Sequence, residues 1–152
     1  MSKDLKTNLM SDATINTIKK FMIFRHIESH DIKRILTAEP SSHRNGYHEK
    51  IAKLCQYRRN ETVIQEGDFD SWSFWVVKGV VDVIQGGVSI ATFDKPGEIF
   101  GEMSVFEGIP RTASVISRTN GGICLCIDMS IIDNLNDRRI ETLIKEEFYS
   151  VI

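Results

Sequence analysis

Phe100-Gly101-Glu102-Met103-Ser104-Val105-Phe106-Glu107-Gly108-Ile109-Pro110-Arg111-Thr112-Ala113-Ser114-Val115 is the stretch whose reading decides the fold. Gly101 permits backbone angles closed to other residues and lets a ligand approach the main chain. The residues after it form a short helical segment, whose first N–H groups have no internal partner and carry partial positive charge. Gly108 stops that segment, and Pro110-Arg111 opens a β-branched strand. Free N–H groups, one carboxylate (Glu102) and one guanidinium (Arg111) thus surround a space the size of a sugar phosphate. Arg111 offers a planar, permanently charged fork that can grip two phosphate oxygens.

Taken singly these residues have ordinary readings: a turn glycine, an acid favoured at a helix start, a surface arginine. Together, at this spacing and followed by the small residues Thr112, Ala113 and Ser114, the run closely resembles the phosphate-binding cassette of the cyclic nucleotide-binding domain family. That module is shared by cyclic-AMP-dependent kinase regulatory subunits, gated channels and catabolite-activator-type regulators. The resemblance continues in Glu66-Gly67-Asp68, in the run Phe74 to Val83 broken by Gly79, and in Lys95-Pro96-Gly97-Glu98, covering about residues 57 to 135. Ser104 stands where the family often has alanine, and Phe106 where it often has a smaller aliphatic residue.

The resemblance implies a ligand, cyclic AMP or cyclic GMP, held by Phe100, Gly101, Glu102, Met103, Ser104, Arg111, Thr112 and Ala113. It gives Glu102 the ribose 2′-hydroxyl and Arg111 the phosphate. Ser104 is small enough to leave its backbone N–H available. Threonine at position 112 is the family's feature in domains that accept cyclic GMP, although some channel domains with threonine respond best to cyclic AMP. Many domains of this fold keep the shape and lose the ligand. A ligand-free protein-interaction module is therefore the alternative to a non-catalytic sensor.

Around the cassette the order is α, β, α. Ile15, Ile18, Phe21, Met22 and Ile23 predict a helix over 12–24, Ile32, Ile35 and Leu36 a second over 31–38, and residues 48–54 a further short one. Glu39 to Gly46 reads as a polar surface loop. From Tyr57 to Ile127 short apolar runs alternate with glycine-marked turns at 8–12 residue intervals, the pattern of a sandwich or barrel. The resemblance makes this α+β, a jelly-roll β-roll (double-stranded β-helix) flanked by N-terminal and C-terminal helices. The expected organisation is one domain: a helical segment with its polar loop over 1–56, the β-roll over 57–127 with the cassette at 100–115, and helices over 128–152. In the last segment Ile140, Leu143, Ile144, Phe148 and Ile152 form an apolar stripe. In the family the equivalent helix closes over the base, so it is expected to act as a lid, with weak homodimer formation at most.

Composition bounds the remaining classes. The 152 residues carry 19 basic and 21 acidic side chains, a net charge of −2 that speaks for neither a nucleic-acid nor a membrane surface. No apolar run reaches the ~20 residues that span a bilayer, and the N-terminus has no hydrophobic signal segment. Three cysteines, with Cys124 and Cys126 two apart in an apolar run, read as reduced core residues of a cytoplasmic protein. His26 and His30 share a helical spacing without a third ligand, and residues 57–127 contain no histidine, unlike a metal-dependent cupin enzyme. No catalytic triad or Walker loop is visible. The chain is expected to be no enzyme, to use no metal or cofactor, to bind no DNA, and to signal through an unidentified effector protein.

Overall fold

A computed structural model describes residues 3–4, 12–21, 24, 27–37, 52–130, 138, 142 and 146. Among them the chain forms β1 (Lys3–Asp4), α1 (Asp12–Lys19), α2 (Ser29–Thr37), β2 (Ala52–Tyr57), β3 (Thr62–Ile64), β4 (Trp72–Lys78) and β5 (Val81–Gln85). It continues through β6 (Val88–Phe93), β7 (Ile99–Phe100), α3 (Glu102–Glu107), β8 (Ser114–Ser117) and β9 (Gly122–Asp128). A five-stranded sheet in the order β1-β2-β9-β4-β7 faces a four-stranded sheet in the order β3-β8-β5-β6. All pairings are antiparallel. This is the jelly-roll β-roll that the family resemblance implied, a form of the sandwich or barrel read from the turn spacing, with helices on its N-terminal side.

Two apolar clusters hold the layers together. Phe74, Val76, Phe100, Val115, Cys55, Cys124 and Cys126 pack between the sheets. Ile15, Ile18 and Ile32 of the helices, with Phe21, Phe24 and Ile27, cover Leu54, Trp75, Leu125 and Ile127 on the outer face of the five-stranded sheet. Strands β2, β4 and β9 are therefore buried on both faces. That double burial is why Ile123 to Ile127 reads as a continuous apolar run instead of an alternating one.

Local expectations meet two differences. Residues 52–54 are strand, not the tail of a helix over 48–54: Ala52 and Leu54 pair with Ile127 and Leu125 of β9. A short apolar run carries no period long enough to separate the two forms, and pairing with β9 decides it. The first helix ends at Lys19, and the chain goes on through tight turns in which Phe21 N bonds Ile18 O, Phe24 N bonds Phe21 O and Ile27 N bonds Phe24 O, each at 2.9 Å. Those three-residue steps bring Phe21, Phe24 and Ile27 to the same buried side. The second helix forms as read, at Ser29–Thr37. The polar loop of residues 39–46 and the apolar stripe from Ile140 to Ile152 lie outside the described residues, as does most of the C-terminal segment. Arg138, Thr142 and Glu146 are helical, and Thr142 Oγ1 donates to Arg138 O at 2.9 Å.

None of the three cysteines is in a disulfide, and all three are buried. Burial, reinforced by Cys55, pushes the Cys124 thiol up to about 12. Burial first, then its contact with Cys55, raises Cys126 well above the ordinary thiol range. These are neutral core groups, poor nucleophiles at physiological pH.

Candidate functional site: a cavity beneath the cassette helix

Two left-handed glycines frame α3. Gly101 sits at φ 79°, and Gly108, at φ 64°, ends the helix by donating its N–H to Ser104 O. At Gly101 a side chain would be both strained and crowded: a Cβ would lie 2.9 Å from Ile64 Cδ1, 3.0 Å from Arg111 Nη1 and 3.1 Å from Phe74 Cδ2. The glycine thus lets both the core and the arginine close on the main chain.

The turn read as Glu66-Gly67-Asp68 clamps the arginine's backbone. Gly67 N donates to Arg111 O at 2.8 Å, and Arg111 N donates to Asp68 O at 2.7 Å. Glu66 N donates to Ser114 Oγ at 2.9 Å, and Gln85 Nε2 to Thr112 O at 3.1 Å, which ties the following residues to the β5–β6 hairpin. The loop at Lys95-Pro96-Gly97-Glu98 is closed by Glu98 Oε2, which accepts from Asp94 N and Lys95 N at 3.0 and 3.1 Å. Its main chain bonds Val76 in both directions, so β7 and the start of α3 are set directly against β4.

All eight residues singled out in the sequence line one cavity of about 240 Å³. Glu102 and Met103 stand at the start of α3, Ser104 one step further, and Arg111, Thr112 and Ala113 on the strand side. Ile64, Val83, Phe93, Ile99 and Val115 complete an apolar wall. Phe100 stacks between Phe74, at 5.3 Å, and Phe93, at 5.9 Å, beneath that wall. Glu102 is half-buried, and its carboxylate accepts no hydrogen bond among the described residues. A carboxylate so placed can receive a hydroxyl.

Arg111 is only 4% exposed, and each of its five N–H directions meets an acceptor of the chain itself. Nε donates to Asp70 Oδ2 at 3.1 Å, and Nη2 to Asp70 Oδ1 and to Trp72 O, the latter at 2.6 Å. Nη1 donates to Gly101 O and, at 2.9 Å, to Ser104 Oγ. The fork read from sequence as a free phosphate grip is here an internal tie between the cassette and the 70–72 segment. Its positive charge still borders the cavity.

Asp70 is the residue that sequence reading missed. Beyond holding Arg111, its Oδ1 accepts from Trp72 N at 3.0 Å, the local turn that starts β4. The signal was an acid two residues after the recognised Glu66-Gly67-Asp68 turn. Its separation of 41 positions from Arg111 hid the pairing.

Among the described residues no group of three or more His, Cys, Asp or Glu could hold a metal ion, and no helix is long and apolar enough to cross a membrane.

Comparisons with known proteins point the same way. The family described as cyclic nucleotide-binding domain matches residues 54–139. A cGMP-dependent protein kinase of Plasmodium berghei is 29% identical over 114 residues, 75% of this chain and 12% of the kinase. One from Toxoplasma gondii is 25% identical over 118 residues, 78% of this chain and 10% of the kinase. The chain thus spans only a small part of those relatives. Among solved structures, a cyclic nucleotide-binding domain from Methylobacillus flagellatus superposes with a TM-score of 0.71 at 17% identity, covering 99% of this chain and 80% of that one; at that identity the likeness is one of fold. With more than half of its length matched, and with glycine turns, cassette helix and roll all in place, this chain belongs to the cyclic nucleotide-binding domain family.

Proposed function

We propose that this chain is a non-catalytic regulatory domain that binds cyclic AMP or cyclic GMP in the cavity beneath α3 and passes occupancy, by helix movement, to an effector protein. The observation that carries the reading is that a carboxylate with no hydrogen bond among the described residues, Glu102, and a buried guanidinium, Arg111, line one largely apolar cavity. A cyclic nucleotide has the matching parts: a ribose hydroxyl for Glu102, an anionic phosphodiester for the positive end, and a base for the apolar wall. The names of the kinase relatives support a cyclic nucleotide as the ligand class.

A second reading has one observation in its favour. Because Arg111 already satisfies all its donors internally, the domain can hold its shape with no anion present, as a ligand-free interaction module would.

Calorimetric titration with cyclic AMP and with cyclic GMP separates the two. A sensor gives a saturable heat and a raised melting temperature with at least one of them. Absence of both signals with both nucleotides leaves only the interaction module.

A further inference from the structure

A sheet edge is a row of backbone N–H and C=O groups without partners, and folded proteins blunt such edges with short strands, prolines or charged side chains. The two sheets here end in the edge strands β1, β7, β3 and β6. Three of these are blunted by length: β1 and β7 have two residues each and β3 has three. The fourth, β6, has six, Val88-Ser89-Ile90-Ala91-Thr92-Phe93, with no charge and no proline among them. It pairs with β5 on one side, and among the described residues no hydrogen bond reaches the backbone on its other side.

The side chains agree. Val88 is 63% exposed and Ile90 55%, two of the five large apolar side chains that stand out among the described residues. The pairing with β5 steps from Val83↔Ala91 to Ile84↔Ser89, which leaves Ile90 without an opposite residue on β5. An uncharged strand with exposed aliphatic side chains, at an open edge, is a surface for another strand.

The flanks select a second copy of this chain as that strand. In an antiparallel pairing of β6 with itself, about a two-fold axis beside Ile90, Phe93 of one copy lies next to Val88 of the other. Asp94 and Lys95, the first charges beyond the strand, then fall beside Gly87 and Gly86 of the second copy, so like charges do not meet. Both glycines have open space where a Cβ would stand, and the hairpin tip offers no obstruction. Such a pairing is isologous: each copy spends its one long edge on the other, and association stops at two.

We propose that β6 is the docking edge for a second copy of this chain, paired antiparallel with its own β6 so that the two four-stranded sheets become one. Val88 and Ile90 are the side chains that the pairing covers. It requires no nucleotide. One pair of six-residue strands is a small interface, so the association is weak and reversible.

Sedimentation equilibrium of the full chain without nucleotide is the test. The average mass should rise from that of one chain toward that of two between about 10 µM and about 1 mM. Val88→Lys and Ile90→Lys each put a charge where natural edges carry one. Both sites are exposed, so each variant should melt close to wild type yet stay monomeric across that range. Phe69→Lys changes a side chain that is 70% exposed but lies off this edge, and it should dimerise as wild type does. Hydrogen exchange of the wild type needs no variant: β6 amides should exchange more slowly at the high concentration, and β3 amides should not change. A wild-type chain that stays monomeric throughout overturns the proposal. A dimer that survives both lysine variants overturns it too, as does β6 exchange that ignores concentration while the mass doubles.

Discussion

The Asp70 carboxylate takes two N–H groups of the Arg111 guanidinium, one of them Nε at 3.1 Å, and so joins the loop before β4 to the part of the cassette that leads into β8. Arg111 keeps 3% of its side-chain surface exposed and Asp70 34%. An arginine held this way is a structural member first, and its effect on a ligand cannot be separated from its effect on the fold.

Arg111→Ala should therefore unfold more easily as well as bind less. Breaking a buried pair from one side costs roughly 3–5 kcal/mol, and the partial exposure of Asp70 puts the expected loss toward the lower end. Asp70→Asn, which keeps one acceptor and removes the countercharge, should lose less stability, on the order of 1–3 kcal/mol. Urea unfolding of both variants checks the order. Equal stability of Arg111→Ala and wild type would mean that the internal network contributes nothing.

Gly101→Ala and Gly108→Ala should part company. Both positions are left-handed, costing an alanine about 1–2 kcal/mol each. Only at Gly101 does the new methyl also collide with Ile64 and Arg111, whereas nothing lies within 4 Å at Gly108. The first variant should lose clearly more melting temperature than the second, and lose nucleotide binding with it. Matching losses would show that close approach at Gly101 is unimportant.

For Glu102 the discriminating reagent is the sugar. Glu102→Ala should weaken a cyclic ribonucleotide by about tenfold or more, the cost of one hydrogen bond to a charged group, and hardly touch its 2′-deoxy analogue. If both analogues lose affinity alike, the carboxylate is not the ribose acceptor.

Thr112 lines the same cavity, its carbonyl held by Gln85 and its side chain exposed. Thr112→Ala should reduce cyclic GMP binding more than cyclic AMP binding in paired titrations. A larger loss for cyclic AMP removes Thr112 from any part in base preference.

The buried thiols predict an alkaline limit. Their folded values are raised, chiefly by burial, so the folded state keeps protons that the unfolded chain gives up. Their stabilisation is complete below the unfolded thiol range, about 8.5. It is lost as pH rises from there toward the folded value, about 12 for Cys124. Each such group contributes up to about 1.4 kcal/mol per pH unit in that window. Cys124→Ala should flatten the fall in unfolding free energy between pH 8.5 and 10. An unchanged slope would assign the alkaline loss to other groups.

Much of this molecule was legible in the chain. Gly101, Gly108 and Gly67 mark turns that only a residue free to adopt positive φ can make, and all three adopt it. The eight cassette residues cluster because they are close in sequence and a short helix folds them back on themselves. A sandwich or barrel was visible because its turns recur at short, regular intervals, and the cassette's resemblance narrowed it to a roll. What sequence could not resolve was pairing across distance. Residues 52–54 became strand because β9 offered a partner on one side and the helices an apolar cover on the other. Asp70 found Arg111 across 41 residues, and Ser104 took a place in the same network through a hydroxyl that a cassette pattern treats as merely small. Local sequence determined which backbone angles, charges and apolar faces exist. The tertiary structure alone decided which buried donor meets which acceptor, because a guanidinium withdrawn from water must find partners wherever folding has brought them.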